Sequence, residues 1–160
     1  MPSKPAAKGK DQTRDDDRVF SEAERAAVAA TARERKAASG RSPAEARAEG
    51  LKDLRDSLAK MPADDRAMGE RIHEVVSDAA PALVPKTYYG MPAYAKEGKD
   101  GKVIAFFKPK SKFKVRYSTL GFQPDASLDD GDMWATEFAV IKLTPNVESR
   151  IADLVKKAAD

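Results

Sequence analysis

From Pro85 to Lys96 the chain reads PKTYYGMPAYAK, and the fold turns on this stretch. Before Pro85 apolar residues recur every three or four positions, the period of a helix; after it they recur every second position, the period of a strand. The stretch sets three tyrosines around Gly90-Met91-Pro92. Proline removes a ladder donor and glycine permits a bend, so Tyr88 to Tyr94 is expected to form an edge or bulged strand.

Working backwards, Met68, Ile72, Val75, Val76 and Ala79 line one face of a helix that Pro81 ends, with Asp64 and Asp65 at its positive end. His73 falls beside that stripe and reads as a surface or packing residue. A second helix opens at Ser42-Pro43-Ala44-Glu45, a capping box with proline at the first helical position, and carries Leu51, Leu54, Leu58 and Met61 on one stripe. A third helix opens at the capping box Ser21-Glu22-Ala23-Glu24 and runs to about Ala38 with an alanine face that packs weakly. Residues 1–20 mix Lys, Asp, Pro and Gly with almost nothing to bury and are expected to form a disordered tail.

Working forwards, Asp100-Gly101 marks a hairpin tip. Val103 to Phe107 is apolar on both faces and suits a central strand. In KFKVRYSTL the alternation predicts a strand with Phe113, Val115 and Tyr117 facing the core and Lys112, Lys114 and Arg116 facing out. Met133 to Leu143 predicts a further strand with Trp134, Phe138 and Val140 on one side. Thr144-Pro145 caps a last helix with Val147, Ile151, Leu154 and Val155 inside. Short connections make the sheet antiparallel. The expected class is therefore α+β: about four to five antiparallel strands with N- and C-terminal helices on one face, preceded by a helical extension. The division is a tail at 1–20, helices at 21–60 and a domain at 61–160.

Composition narrows the function. With no cysteine and only one histidine, thiolate and multi-histidine metal sites are excluded, as is a cysteine nucleophile. No apolar run is long enough for a secretory signal or a membrane span, so a cytoplasmic protein without a membrane partner is expected. The net charge of +3 does not argue for nucleic acid, which is not the expected partner. From Lys86 to Arg116, however, nine basic residues stand against Glu97 and Asp100, and the following Asp125, Asp129, Asp130 and Asp132 reverse the sign.

Two candidate sites emerge. Tyr89, Met91 and Tyr94 could form a ligand groove against the outward Lys112, Lys114 and Arg116, or the tyrosines could simply close the core. Asp129, Asp130 and Asp132 offer carboxylates to a hard cation such as Fe²⁺, although Asp-Gly is also ordinary turn chemistry. The chain carries no nucleophile elbow, Walker loop or dinucleotide-binding glycine fingerprint, so a non-enzymatic role is expected.

The strings PKTYYGMPAYAKEGK, VIAFFKPKSKFKVRYSTLGF, LDDGDMWATEFAVIKLT and RIADLVKKA resemble the YdhG-like family of domains of unknown function over about residues 61 to 158. That resemblance implies a compact sandwich of helices on an antiparallel sheet. It also implies a frataxin-like iron chaperone, with iron or an iron-using protein as partner. Frataxins carry a strongly acidic first helix, whereas here Arg66 and Arg71 interrupt Asp64, Asp65, Glu70, Glu74 and Asp78. The competing expectation is a module that holds a small ligand or a protein on its Tyr, Met and Lys surface without metal.

Overall fold

The computed structural model describes residues 21–38, 41–98 and 100–160. The expected tail at 1–20 lies outside them. Within these residues, five helices and a five-stranded antiparallel sheet make the α+β architecture that the period change predicts. The elements run α1 (Glu22–Ala38), α2 (Pro43–Ala59), α3 (Ala63–Ala79), β1 (Val84–Tyr88), β2 (Met91–Ala95), β3 (Val103–Lys108), α4 (Lys110–Phe113), β4 (Ser118–Phe122), β5 (Glu137–Val140) and α5 (Pro145–Ala159). The strands form a meander in the order β1-β2-β3-β4-β5.

Local chemistry sets the helix starts. Ser42 Oγ accepts from the Glu45 N–H at 3.2 Å and the Glu45 carboxylate accepts from the Ser42 N–H, which completes the capping box of α2. Ser21 Oγ accepts from Glu24 N–H at the start of α1, and Thr144 Oγ1 accepts from Val147 N–H at the start of α5.

Strand register sorts the side chains by face, because residues opposite one another in an antiparallel pair point the same way. Tyr94, Ala105 and Phe122 form one row across the sheet, and Phe107, Leu120 and Phe138 form the next. This face meets Leu54 and Leu58 of α2, Ile72 and Val76 of α3, and Ile151 and Val155 of α5 in a single core. Helix α2 therefore shares its core with the elements that follow it. Arg71 on α3 also holds both carboxylate oxygens of Glu148 on α5, at 2.8 and 3.0 Å, and keeps that carboxyl below its ordinary range. On the other face a smaller cluster gathers Met91, Ala93 and Phe106, with Tyr88, Tyr89, Val103 and Phe113 against it.

Three sequence expectations are corrected. Tyr88 to Tyr94 is not one bent edge strand but a tight hairpin, with Tyr89 at φ 51° and Gly90 at φ 75° as its two turn residues. Positive φ at both positions is the backbone of a type I′ turn, whose twist suits a two-residue hairpin, and β2 consequently lies inside the sheet. The alternation at 112–117 does not make a strand. After Pro109 the chain turns through α4, Lys114 takes φ 54°, and Val115 and Tyr117 stand exposed instead of facing the core. The amide of Lys110 goes to Ser118 Oγ and that of Ser111 to the Asp65 carboxylate, so local turns displace the ladder. The last strand is shorter than expected. Its partner β4 ends at Phe122, the Gln123 N–H turns to Ile104 O, and Pro124 has no donor, so residues 133–135 have nothing to pair with. Trp134 is exposed, while Phe138 shares the core-side row as expected.

His73 is a packing residue with a specific partner. Its Nδ1 lies 3.0 Å from the hydroxyl of Tyr94, and the two rings stack at 5.9 Å. Burial raises the Tyr94 pKa and keeps its hydroxyl protonated, and the tautomer of His73 sets which of the two groups donates. Burial first, and the charge of Arg55 second, lower the His73 pKa from its ordinary 6.5. The unfolded chain therefore binds the proton more readily, and stability rises with pH in this range. The contribution is expected to be complete above about pH 6.5 and to be lost as pH falls from there through the lowered folded value. Urea denaturation between pH 4.5 and 8 checks this: the stability difference between the native chain and His73→Gln should be flat above pH 7 and shrink below 6.5. A difference independent of pH would show that His73 does not titrate with folding.

Candidate ligand-binding cleft

A cleft of about 680 Å³ opens where α1, α2, the start of α3, the β1–β2 hairpin and α4 converge. Each wall has a sequence cause. The polar stripe of α2 faces it with Asp53, Asp56, Ser57 and Lys60, the side opposite the leucines that enter the core. Pro62 begins α3 with no side chain to cap it, so the first-turn amides of that helix have no side-chain acceptor at the cleft. Gly90, at the hairpin tip, comes within 3.6 Å of the Ala30 methyl from its missing β-carbon position. This brings α1 against the turn.

Asp65 joins two walls. It is 2% exposed, and its Oδ2 accepts the Ser111 N–H at 3.1 Å, which ties α3 to the basic turn of α4 across 46 residues. Lys112, also on α4, donates from Nζ to the backbone oxygen of Tyr89 at 3.0 Å and so closes the hairpin end. Arg33 of α1, Lys60 of α2 and Lys112 supply positive charge, while Asp53, Asp56 and Asp65 supply negative charge. Part of the negative charge is already engaged. Asp56 pairs with Lys52 at 3.3 Å, and Asp65 is taken up by Ser111. Ser57 lines the cleft, and its Oγ, closed to solvent, has no hydrogen-bond partner among the described residues.

No family model, curated protein or solved structure matches the chain.

The structure brings together only part of the groove expected from the sequence. Tyr89 and Lys112 meet. Tyr94 lies on the helix side of the sheet, 2% exposed against His73, and Met91 is buried on the opposite side. Lys114 and Arg116 point to solvent beyond α4, and the Arg116 guanidinium lies 5.2 Å from the Tyr117 ring centre. Tyr88 and Tyr89 do not face opposite ways, because Tyr89 is a turn residue; their rings meet edge to face at 4.4 Å.

Asp129, Asp130 and Asp132 stand exposed on the loop before β5, and Asp129 and Asp132 border a smaller cleft of about 530 Å³ with Met133 and Trp134. Among the described residues no group of three or more His, Cys, Asp or Glu side chains is arranged to hold a metal ion. The residue that sequence reading missed is Ser57. A serine on the polar face of a helix gives no signal until the packing encloses it.

Proposed function

We propose that the chain is a non-enzymatic binding module, and that the cleft between α2, the start of α3 and α4 holds a small polar ligand with an anionic group. The observation that carries this reading is Ser57 Oγ. A buried hydroxyl without a partner is uncommon in a folded protein, because desolvation without a hydrogen bond costs about 1–3 kcal/mol, and rotation of the Ser57 side chain toward a ligand atom in the cleft would relieve it. Lys60, Lys112 and Arg33 supply the charge for an anionic group, and the uncapped first turn of α3 adds N–H donors beside them. The reading keeps the Tyr89 and Lys112 pair as the rim of the site and moves its floor from the sheet surface to the helices.

The metallochaperone alternative rests on the resemblance of the strings to the YdhG-like family, and the loop carboxylates give it no converging ligand set. Calorimetry of the full chain against small carboxylates and phosphates tests the binding-module reading. One member of the panel should bind saturably, and Ser57→Ala should weaken that binding about 3- to 10-fold, the value of one hydrogen bond. Stability should not fall, since the hydroxyl removed has no partner to lose. Absence of saturable binding at millimolar concentration, together with a saturable response to Fe²⁺ at Asp129, Asp130 and Asp132, would reverse the choice between the two readings.

A further inference from the structure

We propose that the chain self-associates as a twofold dimer through β5, with the two sheets joined edge to edge. The inference is independent of the cleft and of what it binds.

The first observation is the state of the strand. Among the described residues β5 pairs only with β4. Phe122 N–H donates to Thr136 O at 2.8 Å, and the register continues through Leu120↔Phe138 and Ser118↔Val140. Hydrogen-bonded pairs alternate along an antiparallel ladder, so the backbone groups of Thr136, Phe138 and Val140 turn to β4. Those of Glu137 and Ala139 therefore turn outward. Both residues are exposed, and Ile141, just past the strand, is 70% exposed. An open edge of this kind is a template for another strand. The opposite side of the sheet differs, because α2 is pressed onto the backbone of β1: a β-carbon at Gly50 would lie 2.0 Å from Pro85 O.

The second observation is where apolar side chains stand exposed. Of the six large hydrophobic residues exposed among those described, four flank the β4–β5 ladder. Met133 and Trp134 precede β5. Ile141 follows it, and Tyr117 immediately precedes Ser118, which pairs with Val140. Concentration on one edge is not the scatter expected of ordinary surface residues.

The third observation selects the occupant. Between Arg116 and Lys142 there is no basic residue, while Asp129, Asp130, Asp132 and Glu137 lead into and begin β5. The leading end of the strand is thus acidic with Met133 and Trp134, and the trailing end has Lys142 with Ile141 and Tyr117. An antiparallel twofold pairing lays the leading end of one copy against the trailing end of the other. Acid then meets base, and apolar meets apolar, at both ends. The edge is complementary to itself, which marks a second copy of this chain as its partner.

Sedimentation equilibrium of the full chain tests the proposal. A reversible monomer–dimer equilibrium is expected in the native chain. Ala139→Pro removes an outward donor without touching the bonds to β4, and it should raise the dissociation constant at least about tenfold, which is 1.4 kcal/mol. Asp132→Lys and Lys142→Asp should each weaken the dimer, and the double variant should regain most of the loss, a result that does not depend on how the proline is tolerated. A chain that stays monomeric to millimolar concentration would overturn the proposal. So would a double variant no tighter than either single one.

Discussion

Gly50→Ala is expected to destabilise the protein by about 2–3 kcal/mol, against the usual gain of about 1 kcal/mol for the same change inside a helix. The reversal comes from one contact. The new methyl would stand 2.0 Å from Pro85 O and 3.1 Å from its carbonyl carbon, both backbone atoms of β1 with no rotamer to yield. Helix α2 would have to move off the sheet, and it carries Leu54 and Leu58 in the core and Ser57 in the cleft. Chemical denaturation of the variant measures the loss. Ligand affinity should fall with it, because α2 and Thr87 of β1 are two walls of one site. A neutral or stabilising Gly50→Ala would mean that α2 is not seated as described.

Asp65→Ala is expected to cost about 2–4 kcal/mol. The substitution removes a buried acceptor from the Ser111 N–H and leaves a space where the carboxylate was; a hydrogen bond to a charged group contributes about 1.5–3 kcal/mol, and the orphaned donor adds its desolvation. Asp65→Asn should recover part of the loss, since its amide oxygen can accept the same N–H at 3.1 Å. Denaturation curves for the two variants separate the hydrogen bond from the charge. Equal losses in both would assign the effect to charge and remove Asp65 as the tie between α3 and α4.

The helix starts and the final helix were legible because capping acts within four residues: Ser42 with Glu45 and Thr144 with Val147 can be seen in the sequence and are met in the structure. The antiparallel order was legible from the short connections. The region 110–117 was not, because its Lys-Phe-Lys-Val-Arg-Tyr alternation is a good strand pattern. What overrides it are amide bonds to Asp65, 46 residues away, and to Ser118. Tyr89 misled in another way. A turn with positive φ at both positions is usually marked by Asn-Gly or Asp-Gly, and tyrosine is an uncommon residue there. The cleft draws on residues between Ala30 and Lys112 from five elements and the turns between them, and no local spacing could assemble them.

Ser57, the start of α3 and α4 are expected to act as one ligand site. A ¹H–¹⁵N titration of the full chain with the tightest-binding small anion from the calorimetric panel tests it most directly. Saturable shifts should cluster at the amides of Ser57, Ala63, Asp64, Gly90 and Ser111 and weaken together in Ser57→Ala. Shifts that cluster instead on Asp129, Asp130 and Asp132, or that leave the Ser57 and Ala63 amides unmoved at saturation, would contradict it.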